Sequence, residues 1–147
     1  MSKTISFKGQ IPIGEQDRIR LKTNNGKTGY KITKFQILPG RPGVDDVELV
    51  CQIFKTDQTG SISSEVNFTD SDLLAVAYYQ DDLQNHYASS TDILFDNEKF
   101  NQDIFVTMTD ASGATDAANY YIELETMSLS DIETTMLTLQ SIRQIMS

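Results

Sequence analysis

Apolar and polar residues alternate along most of this chain, and that alternation predicts strands. Ile5 and Phe7 share one phase, followed by Ile11 and Ile13, then Ile19 and Leu21, then Tyr30 and Ile32. Phe35 and Ile37 resume in the opposite phase, which places a bulge near Thr33-Lys34. Between Leu21 and Tyr30 lies Asn25-Gly26, the dipeptide suited to a two-residue type I′ turn. A hairpin centred there pairs Asn24 with Lys27, Thr23 with Thr28, Lys22 with Gly29, Leu21 with Tyr30, Arg20 with Lys31 and Ile19 with Ile32. One face of that ribbon suits a core. The other sets Arg20 opposite Lys31 with Arg18 and Lys22 alongside, a cationic ladder that repels itself unless acidic groups lie against it.

Residues 39–43, rich in proline and glycine, form a loop, and residues 47–54 form the next strand. The continuous apolar run 73–79 reads as a strand covered on both faces, in preference to a short helix entered through Thr69-Asp70-Ser71-Asp72. Residues 80–91 are polar, contain the single histidine His86, and read as a long loop before a short strand at 93–95. Ile104, Val106 and Met108 line one further strand, and Tyr120, Ile122 and Leu124 another, with Tyr121, Glu123 and Glu125 on its opposite face. Those glutamates are the expected mates of Arg18, Arg20 and Lys22. In the tail, Leu129, Ile132, Met136, Leu139 and Ile142 recur at helical spacing behind a Ser130/Glu133 capping box, which predicts a C-terminal helix. Short strands at near-regular spacing indicate a single all-β domain over residues 1–147. The expected architecture is an antiparallel β-sandwich, jelly-roll winding being one option, with a short C-terminal helix.

Charge sharpens this picture. The net charge is −9, but residues 1–41 hold nine basic residues against two acidic ones, a balance of +7. The remainder holds three against nineteen, a balance of −16. Basic early strands lying against acidic later ones within one fold would account for that split. So would complementarity between copies or with a larger partner. The global sign disfavours nucleic acid, whose binding rests on phosphate neutralisation. No apolar run approaches the ~18 residues of a membrane span, and the N-terminal stretch lacks the pattern of a secretory signal, so folding in a cytosol without a membrane partner is expected.

Candidate chemistry is sparse. Cys51, the only cysteine, is in phase with Val47, Leu49 and Ile53 and reads as a buried small hydrophobe. It excludes an internal disulfide and a multi-thiolate zinc site. His86 sits among glutamine, asparagine and tyrosine, with no Gly-x-Ser-x-Gly elbow in the chain. The carboxylates at Asp45-Asp46, Asp70/Asp72, Asp81-Asp82 and Asp96/Glu98 fit turn and capping roles better than a calcium loop. No catalytic residue, metal or cofactor is expected, and a hydrolase lacks any nucleophile-and-base pair to argue from.

Residues 22–32, 95–104, 119–125 and the tail stretches 129–134 and 138–143 resemble small virion proteins of marine tailed bacteriophages, over most of the chain. The resemblance implies a many-copy structural protein on the capsid exterior. It carries over no catalytic residue. The expectation is a capsid decoration or cement protein, folded in the host cytoplasm and located in the virion. Its expected partners are the major capsid protein and/or copies of itself, as a homo-oligomer on the particle. Lys3, Ile5 and Phe7 at one end and Ile132, Met136 and Ile142 at the other are the candidates for reaching neighbours. Arg18, Arg20, Lys22 and Lys31 are the candidates for electrostatic seating. A tail- or fibre-associated virion module is the first alternative. A carbohydrate-binding sandwich using the loops 80–91 and 110–118 is the second.

Overall fold

A computed structural model describes the chain apart from residues 1–2, 43–45, 61, 83–86, 96–98, 114 and 147, and apart from the side chains of 82, 87–89, 141 and 143–146. In chain order the elements are β1 (Lys3–Ile11), β2 (Glu15–Ile19), β3 (Thr28–Pro39), β4 (Val47–Phe54), β5 (Leu73–Asp82), β6 (Tyr87–Leu94), β7 (Ile104–Asp110), β8 (Ala118–Ser128) and α1 (Asp131–Met146). The strands form two antiparallel sheets, β1-β8-β3 and β2-β7-β4-β5-β6. Alternate residues of each turn inward and make one core. Ile11, Phe35, Ile122 and Leu124 meet Leu49, Cys51, Ile53, Val106 and Met108, all 1 % exposed or less. The all-β antiparallel sandwich with a short C-terminal helix is the fold the alternation predicts.

Several local expectations hold. The β3–β8 register shifts between Ile32 and Lys34, so the bulge falls at Thr33, whose hydroxyl donates to the Glu123 carbonyl. Leu73 to Ala77 are buried on both faces of β5. Leu74, Ala75 and Ala77 join the main core, while Leu73 and Val76 pack with Phe54 and Phe95 on the opposite face. That outer face is covered by the chain between β4 and β5, where buried Gln52 donates to the carbonyls of Ser63 and Glu65.

The hairpin at Asn25-Gly26 does not form. β2 pairs with β7 and β3 pairs with β8, so the chain crosses from one sheet to the other between them. The turn is centred one residue earlier. The Gly26 N–H donates to the Thr23 carbonyl at 3.3 Å, the Asn25 side chain accepts from the Lys27 N–H, and Gly26 takes φ 65°. The physical reason is that inward-facing Ile19 and Ile32 are equally well buried by facing each other across a core as by pairing along a ladder. Periodicity constrains the face of a residue, not the sheet it belongs to. Leu21 and Tyr30 still meet, the Tyr30 hydroxyl donating to the Leu21 carbonyl at 2.9 Å. Arg20 does not pair with Lys31, and the four-residue ladder does not exist as a continuous feature.

Residues 80–91 are also not one loop, since β5 runs to Asp82 and β6 begins at Tyr87. A strand at a sheet edge pairs on one side only and needs no apolar face, so its polar letters imitate a loop. His86 lies outside the described residues.

The pairs β1·β8, β2·β7 and β4·β5 are nested as in a rolled double hairpin, the winding of a jelly roll. The remaining nested pair, β3·β6, is not made. β6 stays on β5 in a local hairpin, Ala75 opposite Leu94 through Asp82 opposite Tyr87. A short connection costs little closure entropy, and Ser90 and Asp92, exposed on the inward side of β6, gain nothing from burial beneath β3.

Gly40 closes the end of β3 against the loop before β8. A Cβ there would penetrate the Ala117 carbonyl oxygen, a backbone atom that no side-chain rotation removes. Gly40→Ala is expected to cost about 1–3 kcal/mol, read as a lower thermal midpoint with an unchanged β-sheet circular dichroism spectrum at low temperature.

Candidate interaction surfaces

The helix begins at a reciprocal cap. The Glu133 N–H donates to the Ser130 hydroxyl at 3.2 Å, and the Glu133 carboxylate accepts the Ser130 N–H at 3.3 Å. Hydrogen bonds from the Ser130 backbone and side chain hold the Glu133 carboxyl below its usual range, with Lys99 adding to them. Asp131 and Glu133 also place negative charge where the helix dipole favours it.

Contact with the sandwich is polar and close. Buried Asn101 donates to the Gly26 carbonyl at 3.0 Å and to the Thr138 hydroxyl at 3.3 Å. A Cβ on Gly26 would come within 3.4 Å of the Thr134 methyl, so the turn and the helix touch there. Leu137 lines a small cleft with Phe100 and Asn101. Leu129, just before the helix, is buried over Gly29, and its N–H donates to the Lys27 carbonyl. Lys27 reaches Asp131 at 3.3 Å.

The opposite face is the apolar one. Ile132 is 74 % exposed, Met136 56 %, Leu139 48 % and Ile142 47 %. Of the five residues at helical spacing, only Leu129 is buried. A surface helix ordinarily buries its apolar stripe and wets its polar one. Here a face carrying Thr134, Leu137 and Thr138 docks, and four large aliphatic side chains face water.

The cationic candidates are dispersed. The Arg18 guanidinium grips Asp103 at 2.6 Å and lies over the Phe105 ring. Asp103 also accepts the N–H groups of Leu21 and Lys22 at 2.8 and 2.9 Å. Burial pushes the Asp103 carboxyl up, but these donors and the Arg18 charge outweigh it and hold the group below the usual carboxylate range. Arg18 is thus a pin for the strand exit, while Arg20 and Lys22 are exposed beside it. Lys31 sits on the other sheet opposite Glu125, and its neighbour Lys34 reaches Glu123 at 3.7 Å. The glutamates of β8 therefore serve β3, not the Arg18–Lys22 segment. On β1, Lys3 is exposed, and Ile5 and Phe7 are half-buried against the core, opposite Leu124 and Ile122.

A groove of about 840 Å³ opens where β3 and β6 fail to pair. Phe35, Ile37 and Tyr120 wall one side, and Ala77, Tyr79 and Asp92 the other. The Tyr120 hydroxyl donates to Asp17 at 2.7 Å, and burial together with that carboxylate pushes its pKa far up, so it stays protonated. Cys51 is buried and its thiol is likewise raised by burial. These groups hold shape and hydrogen bonds; neither is poised as a nucleophile. Among the described residues no group of three or more His, Cys, Asp or Glu side chains is arranged to hold a metal ion. Asp70 and Asp72 instead cap their own turn and Thr56.

Asn101, Asp103 and the groove were not legible from periodicity. The only trace is the polar run 101–103 between Phe100 and Ile104, too short to separate from an ordinary loop. No protein-family model matches the chain, and no curated protein matches it.

Because Asp103 has a lowered pKa in the folded state, its contribution is present above its unfolded value near ~3.9 and is lost as pH falls through the folded value. Asp103→Asn is therefore expected to lower the unfolding free energy at pH 7 by about 1–3 kcal/mol, read as a lower urea midpoint at unchanged slope. The difference from wild type should narrow under acid conditions where the native carboxyl is itself protonated. Urea titrations at both pH values check the sign.

Proposed function

We propose that this chain is a structural subunit of a virion, a capsid decoration protein binding the outer shell of a tailed bacteriophage and stabilising it. The observation that carries the reading is the exposed stripe of Ile132, Met136, Leu139 and Ile142 on a helix already docked by its other face. An apolar row of that kind marks a protein contact. The virion assignment itself comes from the sequence resemblance, and the stripe supports an assembly role without specifying the particle.

Arg20 and Lys22, exposed beside the Arg18–Asp103 pin, give this acidic protein a local cationic edge that can steer it toward acidic shell surface. The acidic remainder keeps decorated particles apart. A tail- or fibre-attached module would use the same stripe but appear in few copies. The groove between β3 and β6 favours a separate reading, a carbohydrate-binding module, because tyrosine faces and side chains such as Asp92 line an open slot.

Gel densitometry of purified source particles is expected to show the chain in numbers comparable with the shell protein. A few copies would favour the tail module, and absence would end the virion reading. Arg20→Glu with Lys22→Glu should reduce occupancy on particles several-fold, more at low salt than at high, with an unchanged circular dichroism spectrum. Equal occupancy would remove the steering role. Binding on a glycan array would bring the carbohydrate reading forward.

A further inference from the structure

We propose that β1 is a self-pairing edge: two copies of this chain join their three-stranded sheets through antiparallel β1 strands, related by a two-fold axis at Ser6. The interface is a sheet edge, separate from the helix stripe, and forms without a particle. In an antiparallel ladder the N–H and C=O of one residue point to the same side, and the side alternates along the strand. Tyr30 in β3 exchanges both groups with Phe100, at 2.8 and 3.0 Å, so they point away from β8. Thr126, opposite Tyr30, therefore turns its own groups toward β1, where it meets Lys3. The alternation then directs Lys3, Ile5, Phe7 and Gly9 to β8, and Thr4, Ser6 and Lys8 outward. β1 is an edge of its sheet, and among the described residues nothing receives these outward groups.

Sheet edges are ordinarily guarded. β3 is covered at Tyr30 by Phe100, broken by its bulge and ended by Pro39. β2 has 5 residues, among them Glu15, Asp17 and Arg18. β1 has 9 residues in unbroken register with no proline, and Lys3 and Lys8 flank the stretch 4–7 instead of interrupting it. Ile5 and Phe7 turn toward the core but stay half-buried at this edge, which leaves apolar surface for a neighbouring strand to cover. The partner such an edge fits is another extended strand.

That strand is a second β1, because the sequence is complementary to itself. Centred on Ser6, two antiparallel copies set Ser6 opposite Ser6, Thr4 opposite Lys8, Ile5 opposite Phe7 and Lys3 opposite Gly9. The outward groups of Thr4, Ser6 and Lys8 then face one another as hydrogen-bonded pairs. β-branched Ile5 meets aromatic Phe7, a favourable cross-strand pair. No lysine faces a lysine, whereas a parallel ladder in register would stack Lys3 on Lys3 and Lys8 on Lys8. Acid lies beside the junction, since Thr4 stands next to Glu125 and Ser6 next to Glu123 on β8. Lys8 of one copy thus has Glu125 of the other two strand spacings away, roughly 10 Å between backbones, across the short side chain of Thr4. Lys8 has no ion pair of its own among the described residues. Such an isologous contact closes at two copies. A ladder over residues 3–9 is about 24 Å long and smaller than a standard interface, so the association is concentration-dependent.

Sedimentation velocity on the isolated full chain over a wide concentration series tests this. The mass should rise from 16.5 kDa toward twice that value. Ser6 is exposed, so Ser6→Lys and Ser6→Glu should each keep the circular dichroism spectrum of the wild type. Each alone sets like charge on like charge at the axis and should weaken association at least tenfold. An equal mixture of the two should recover it as the mixed dimer, because the paired positions then carry opposite charges. A chain that stays monomeric throughout overturns the proposal. So does a dimer indifferent to both substitutions, or a mixture that associates no better than either variant alone. No particle is present in these measurements. A dimer that fails to bind shells would therefore sink the decoration reading alone, and a monomer that binds them would sink only the self-pairing.

Discussion

One buried amide ties the C-terminal helix to the sandwich. Asn101 is almost fully buried, and its nitrogen is shared between the Gly26 carbonyl and the Thr138 hydroxyl. The Gly26 bond joins it to the turn and the Thr138 bond joins it to the helix, each such bond being worth about 1 kcal/mol net. The helix lies with Thr138 toward the body, and Ile132, Met136 and Leu139 are left on the far side. Gly26 is part of the same constraint, because its positive φ turns the chain so that its carbonyl reaches Asn101 and its missing side chain leaves room for Thr134. The docked face thus meets the body through one shared amide and through packing, the buried Thr134 hydroxyl being without a hydrogen-bond partner among the described residues, and the apolar surface is what remains on the far side.

A second constraint is the inequality of the two sheets. Three strands face five, and β8, paired on both sides, holds the smaller sheet together. β6 extends the larger sheet without laddering to β3, although the winding of the other strands brings the two near each other. The polar inward face of β6 makes that unpaired seam stable as a groove: Ser90 and Asp92 are solvated where they lie, and Tyr79 and Ile37 are covered only in part. Departure from a complete roll and possession of a slot are the same fact seen from two sides.

Much of the fold could be read from the letters because alternation reports which residues face the core. The strands 3–11, 47–54, 104–110 and 118–128, the bulge at Thr33 and the capping box at Ser130 and Glu133 each follow from local pattern. What alternation does not report is which sheet a strand joins. The Asn25-Gly26 hairpin failed on that point, since Ile19 and Ile32 satisfy the same pattern across a core as along a ladder. The polar strand β6 was read as loop because an edge strand needs no apolar face. The tail was legible as an amphipathic helix, but its direction of docking was not. The docked face is marked by contacts such as Asn101 to Thr138, 37 residues apart, which no local pattern reports.

The charge asymmetry resolves along the same lines. Much of the basic excess of the first 41 residues is spent within the fold: Arg18 on Asp103, Lys27 on Asp131, Lys34 on Glu123 and Arg41 on Asp116. These pairs differ in consequence. Arg41–Asp116 is exposed on both sides and adds little to stability. Asp103 is 10 % exposed and collects two backbone N–H groups besides the guanidinium, so it fixes where β2 ends and the chain begins its crossing to the other sheet. Arg20 and Lys22 are directed outward by that anchoring, because the backbone of Lys22 is tied to Asp103 while its side chain remains in solvent. The cationic edge and the docked helix are therefore both held from the short segment before β7, the first by half-buried Asp103 and the second by buried Asn101. Segments attached to the sandwich by hydrogen bonds in this way have less conformational freedom left to lose on association than a terminal arm without such bonds.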